Sequence, residues 1–195
     1  MDSDIEADEP LTIALLATPE ATASTLYGMY DLFGSAGRDW GLLIHGQMGR
    51  PLLRPLIVSQ SGEGFRAPNG AWIQPDSRLD ACPPLTAACI PDLFIAPDER
   101  LTGRYDAEIA WLRGLHAQGT LLAAACTGAM LVAEAGMLAG QEATTHWAYC
   151  DALARRYPEV QVHPHRILVT SGEGQRLIMA GGGTSWFDLA LYLVA

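Results

Sequence analysis

Thr120-Leu121-Leu122-Ala123-Ala124-Ala125-Cys126-Thr127-Gly128-Ala129-Met130-Leu131 runs from an apolar stretch through one cysteine into small, helix-compatible residues. A run of about six apolar residues reads as a buried strand, and the stretch after it reads as a helix. Cys126 therefore falls on a sharp strand-to-helix turn. Such a turn lifts a side chain out of the sheet and aims it at the N-terminus of the next helix, whose dipole favours a thiolate. Further on, Thr144-Thr145-His146-Trp147 offers a second contribution to the same pocket.

Outward from this point, strands and helices alternate. Leu11 to Ala17 reads as the first strand. Leu26, Met29, Tyr30 and Phe33 share one face of a helix opened by Ser24 or Thr25. Leu53 to Ser59 reads as a strand, and Pro68-Asn69-Gly70 as the turn of a hairpin. Leu93 to Ala96 reads as a short buried strand, and Asp106 to Gln118 as a helix stopped by Gly119. Trp147 to Tyr157 reads as a helix halted by Pro158. Val160 to Val162, Ile167 to Ser171 and Leu177 to Ala180 read as strands, and a last helix starts at Ser185. Residues 34–49 take no assignment. The strands are apolar throughout, which marks a mostly parallel sheet covered by helices on both faces, an α/β doubly wound fold. Such sheets bind ligands beyond the carboxyl ends of their strands, where Cys126 lies.

The bulk numbers narrow the function classes. A chain of 195 residues, 49% hydrophobic and 17% charged, suits one domain with a large core, here residues 11–195. No stretch is long and apolar enough to span a membrane, and the N-terminus is acidic instead of signal-like, so the expected place is the cytoplasm. The formal net charge is −10, and residues 1–10 form an acidic tail expected to be disordered. All 12 basic residues are Arg and none clusters into a stripe, which argues against direct nucleic-acid binding. The absence of Lys removes Schiff-base chemistry. Cys82, Cys89, Cys126 and Cys150 fit no zinc spacing. His163 and His165 flank Pro164 in a turn with no further ligand at suitable spacing, so no metal and no cofactor is expected. Trp147 and Trp186 read as core. Gly181-Gly182-Gly183 suits either close approach to a ligand or close packing of the last helix. The chain closes on an apolar helix without a polar finish, which reads as a domain followed by more chain.

Residues 126–194 resemble the ThiJ/PfpI family of the class I glutamine amidotransferase-like superfamily. The resemblance rests on Cys126-Thr127-Gly128-Ala129, Ala133 to Gly140, Ala143-Thr144-Thr145-His146-Trp147, Leu153 to Pro158 and Asp188-Leu189-Ala190-Leu191. It is strongest toward the form that makes the N-terminal half of AraC-type transcriptional regulators. It implies a flavodoxin-like sandwich, usually dimeric. In the family's enzymes it also implies a cysteine nucleophile, here Cys126, with His146 as its base. Three departures weaken catalysis. Thr25 stands where the enzymes carry Asp or Glu, with Glu20 the nearest acid in sequence. Asp98-Glu99 stands where a Gly-Gly pair follows a proline, bringing charge that opposes an oxyanion and raises a nearby thiol. Cys-Thr-Gly also replaces the Cys-His-Gly of peptidase-like members.

Together these imply a regulatory domain that dimerises and senses a small polar effector, an amine or amino-acid derivative by family analogy. The effector would be held near Cys126, Thr127, Gly128, His146, Thr25 and Asp98, with DNA contacted through a helix-turn-helix part outside this chain. The alternative is a small cysteine enzyme with isonitrile hydratase-like or glyoxalase-like activity. His146 also suits a purely structural role, bonded to backbone at a helix start.

Overall fold

The computed structural model describes residues 9–195, so most of the acidic tail, residues 1–8, lies outside the described residues. In chain order the elements are β1 (Leu11–Leu16), α1 (Ala23–Ser35), α2 (Arg38–His45), β2 (Leu53–Ser59), β3 (Phe65–Arg66), β4 (Trp72–Ile73), β5 (Ser77–Arg78), β6 (Ala87–Ile90), α3 (Asp106–Ala117), β7 (Leu121–Ala125), α4 (Ala129–Glu134), β8 (Glu142–Ala143), α5 (Cys150–Arg156), β9 (Gln161–Val162), β10 (Leu168–Ser171), β11 (Leu177–Ala180) and α6 (Ser185–Val194).

Seven strands form one sheet in the order β10-β11-β7-β6-β1-β2-β5. Only β10 runs antiparallel to its neighbour; the other pairs are parallel. β1 shows why its sequence suits the centre. Ala14 and Leu16 enter the core beneath α3 and α4, while Ile13 and Leu15 enter the core beneath α1 and α6. Both faces are buried, so both must be apolar. Leu26, Met29 and Phe33 of α1 are fully buried in the second core, as their spacing predicts. Each such side chain contributes about 1.5–3 kcal/mol by leaving water.

The strand expected over Leu93–Ala96 is instead Ala87–Ile90. Leu93 makes only an isolated bridge to Ala21. Ala-Ala-Cys-Ile has a single β-branched residue and no aromatic one, whereas Leu-Phe-Ile is bulky throughout and lies in a loop. The shift puts Pro91-Asp92 at the carboxyl end of β6, next to β7. Residues 34–49 contain α2, none of whose residues is buried. β8 pairs with β9 in a separate two-stranded sheet. Trp186 packs against Gly28, but Trp147 is 73% exposed and not core.

One close approach fixes the sheet against the turn at Cys126. A Cβ added to Gly128 would lie 2.6 Å from both the Ile90 and Pro91 carbonyl oxygens. Backbone cannot yield as a side-chain tip does, so Gly128→Ala is expected to cost about 1–3 kcal/mol. Gly114, exposed in α3 with no atom near an added Cβ, is its control. Gly114→Ala should stabilise by about 0.5–1 kcal/mol through helix propensity. Urea unfolding of both variants measures the contrast; equal effects would mean that the close packing at Gly128 carries no energetic weight.

Candidate functional site

Cys126 follows β7 directly and has a positive φ of 53°. A side chain in this left-handed region costs about 1–3 kcal/mol and persists only where its surroundings hold it. Three contacts do so here. The Thr145 hydroxyl donates to the Cys126 carbonyl at 2.7 Å. The Thr127 hydroxyl accepts from the Leu93 amide at 2.7 Å and donates to the Leu93 carbonyl at 2.8 Å. Gly128 presses on the end of β6. Thr127 and Gly128 are both buried.

The surroundings do not favour a thiolate. Burial, and then the charge of Asp92, push the Cys126 thiol up to about 11, against the lowering effect of hydrogen bonding from Thr127. Desolvation and a like charge therefore outweigh the helix end. At pH 7 these surroundings favour the neutral thiol. Tyr149 is also close: burial and the Cys126 charge raise its phenol, and its hydroxyl donates to the Ile95 carbonyl at 2.5 Å.

His146 opens the helical turn before α5, and its Nδ1 accepts from the Ala148 amide at 3.2 Å. Its ring lies against Gly182, where an added Cβ would overlap it. The glycine run thus accommodates a side chain of this chain. His146 serves as a helix cap, with Nε2 left for another partner.

The remaining candidates are not among the groups that shift the Cys126 thiol. Thr25 is buried in α1 and places no carboxylate at the acid position. Glu20 is bound by Arg104 and the Tyr105 hydroxyl. Burial pushes its carboxyl up, but those two partners prevail and hold it below the usual range. Asp98 pairs with Arg155 at 3.0 Å. Glu99 pairs with Arg104, and its amide is taken by the Ala96 carbonyl. The charge expected at Cys126 from Asp98 and Glu99 therefore comes from Asp92. Asp92 and Tyr149 carry no signal of their own in the sequence, whereas Thr145 lies in the Thr-Thr-His stretch already singled out; reading β6 six residues upstream would have found Asp92. Among the described residues no group of three or more His, Cys, Asp or Glu side chains is placed to hold a metal.

The DJ-1/PfpI family model matches residues 98–190. The chain is 35% identical over 145 residues to the HTH-type transcriptional regulator CdhR of Pseudomonas aeruginosa, covering 74% of this chain and 40% of that protein. It is 27% identical over 187 residues to the isonitrile hydratase of Pseudomonas putida, covering 94% of this chain and 70% of that enzyme. Among solved structures, an AraC family transcriptional regulator from Pseudomonas putida superposes with a TM-score of 0.72 at 16% identity, over 95% of this chain and 91% of that one. That likeness concerns the fold alone. The chain spans less than half the length of the regulator it matches. No helix among the described residues is long and apolar enough to cross a membrane. By the match of the family model over residues 98–190, the chain carries a DJ-1/PfpI family domain.

Proposed function

We propose that this chain is the effector-sensing, dimer-forming regulatory domain of an AraC-type transcriptional regulator in the cytoplasm, and that Cys126 contacts a ligand without turning it over. The observation that carries this reading is that Thr25 stands where a carboxylate would, while the groups that act on Cys126, burial first and then the charge of Asp92, push its thiol up. A nucleophilic cysteine needs the opposite environment, a positive neighbour or a paired base. The likeness to CdhR supports the same reading. So does the net charge of −10, which leaves DNA contact to a helix-turn-helix part outside this chain. Effector contacts centre on the Cys126 sulfur and His146 Nε2, while Thr127 and Gly128 hold the turn.

α2 supports dimerisation. Trp40, Leu43 and Ile44 are 69%, 76% and 56% exposed, an apolar face larger than isolated surface residues explain. The isonitrile hydratase relative favours a second reading, a small cysteine enzyme, on the strength of its 94% coverage of this chain.

Three measurements separate these readings. Alkylation of Cys126 by iodoacetamide, followed by peptide mass mapping, should still be accelerating about tenfold per pH unit at pH 9. Asp92→Asn should shift the curve to lower pH, because a repelling charge is gone. A plateau near pH 7 would instead indicate an activated nucleophile. The wild-type chain should not hydrate alkyl isonitriles; turnover that vanishes in Cys126→Ser would establish the enzyme reading. In sedimentation, Leu43→Glu should convert a dimer into a monomer without loss of helical signal, and an unchanged dimer would remove α2 from the interface.

A further inference from the structure

Beyond the carboxyl ends of β1 and β2 lies a cleft of about 230 Å³, on the far side of β1 from β6 and β7 and so separate from Cys126. Its walls include Ser59, Ser61, Glu63, Phe65 and, from the first turn of α3, Glu108. Glu108 is only 5% exposed, yet its Oε2 has no hydrogen-bond partner. Among the described residues Glu108 forms no salt bridge. Arg104, one turn before it, is engaged by Glu20 and Glu99. The other groups acting on Glu108 are acids, Glu20 and Asp106. Burial, and then these charges, hold its carboxyl above the usual range, partly offset by a backbone hydrogen bond. A buried carboxyl with no cation beside it and one oxygen unpartnered is costly, and it is unusual unless something else completes it.

We propose that this cleft is a binding site for a small organic cation bearing N–H donors, a protonated primary amine or a guanidinium, with Glu108 as its counter-charge. The unpartnered oxygen calls for a hydrogen-bond donor, which a quaternary ammonium lacks. A metal ion is disfavoured, because no set of three ligating side chains is gathered here. Glu63 adds a second negative charge at the cleft, and Phe65 an aromatic wall against which a cation can rest. The Ser59 and Ser61 oxygens accept from the Gly62 and Glu63 amides. Their hydroxyl hydrogens are left to donate to an acceptor elsewhere on the ligand. The cleft falls below the roughly 300–1,000 Å³ of pockets for drug-sized ligands, so the ligand is metabolite-sized. The site stands whether or not Cys126 is catalytic.

The test is titration of the full 195-residue chain with methylguanidinium and, separately, n-propylammonium chloride, followed by calorimetry and amide NMR shifts. Saturable binding of at least one cation is expected, with the largest shifts at residues 59–65 and 108. Tetramethylammonium should not compete. Glu108→Gln should weaken binding by at least about tenfold. Glu108→Gln should also raise the thermal midpoint of the free chain at pH 7. A carboxyl raised in the fold contributes stability at low pH that is lost as pH rises through its folded value, and the neutral amide avoids that loss. The proposal is overturned by the absence of saturable binding, by equal binding in Glu108→Gln, or by shifts clustered at Cys126 and His146. The wild-type shift map decides the matter even if Glu108→Gln fails to fold.

Discussion

The contact on which this molecule's functional edge depends is the docking of residues 127 and 128 onto the end of β6. The Thr127 hydroxyl satisfies both the amide and the carbonyl of Leu93. Gly128 comes so close to the Ile90 and Pro91 carbonyls that no larger residue fits without backbone movement. With the chain held on that side, and with Thr145 holding the Cys126 carbonyl on the other, Cys126 has little choice but the left-handed conformation. The geometry of the turn is thus set by hydrogen bonds and packing around the cysteine. Its chemistry is set separately, by burial and by the acid just past the end of β6. The same backbone can present a thiolate or a thiol; in this chain desolvation and Asp92 favour the thiol.

Much of the fold was legible because a parallel sheet buried on both faces leaves a simple record. β1, β2, β7 and β11 are near-continuous apolar runs, and α1 and α3 have a clear buried stripe bounded by turn residues. Legibility failed where the local pattern and the burial disagreed. Ala87–Ile90 is a central strand made largely of small residues, which carry little strand signal of their own. The more strand-like Leu93-Phe94-Ile95 bridges loops, with Phe94 largely exposed. α2 was unreadable for the opposite reason. Its apolar residues face solvent, so no core imposes a period on them. The candidate site was legible at Cys126 and His146 and not at Asp92, since Asp92 becomes a neighbour of the sulfur only through the placement of β6 beside β7.

Charge arrangement unites the two regions. Arg104, Arg155, Arg156 and Arg166 are each paired with carboxylates, namely Glu20 and Glu99, Asp98, Glu134 and Glu142. Among the described residues, Asp92 and Glu108 are not so paired, and both lie at the carboxyl edge of the sheet. Asp92 follows β6, and Glu108 overlooks the ends of β1 and β2. That edge is where parallel α/β sheets receive ligands, and Asp92 and Glu108 bring negative charge to it. An anionic ligand or a developing oxyanion would be repelled at Asp92, whereas a cation would find an uncompensated partner at Glu108. The physical cost of leaving a carboxyl buried without a cation falls on the free protein and is relieved on binding. A domain arranged in this way gains differential affinity for its ligand-bound form, and that difference is the only free energy with which a sensor can shift its own equilibrium.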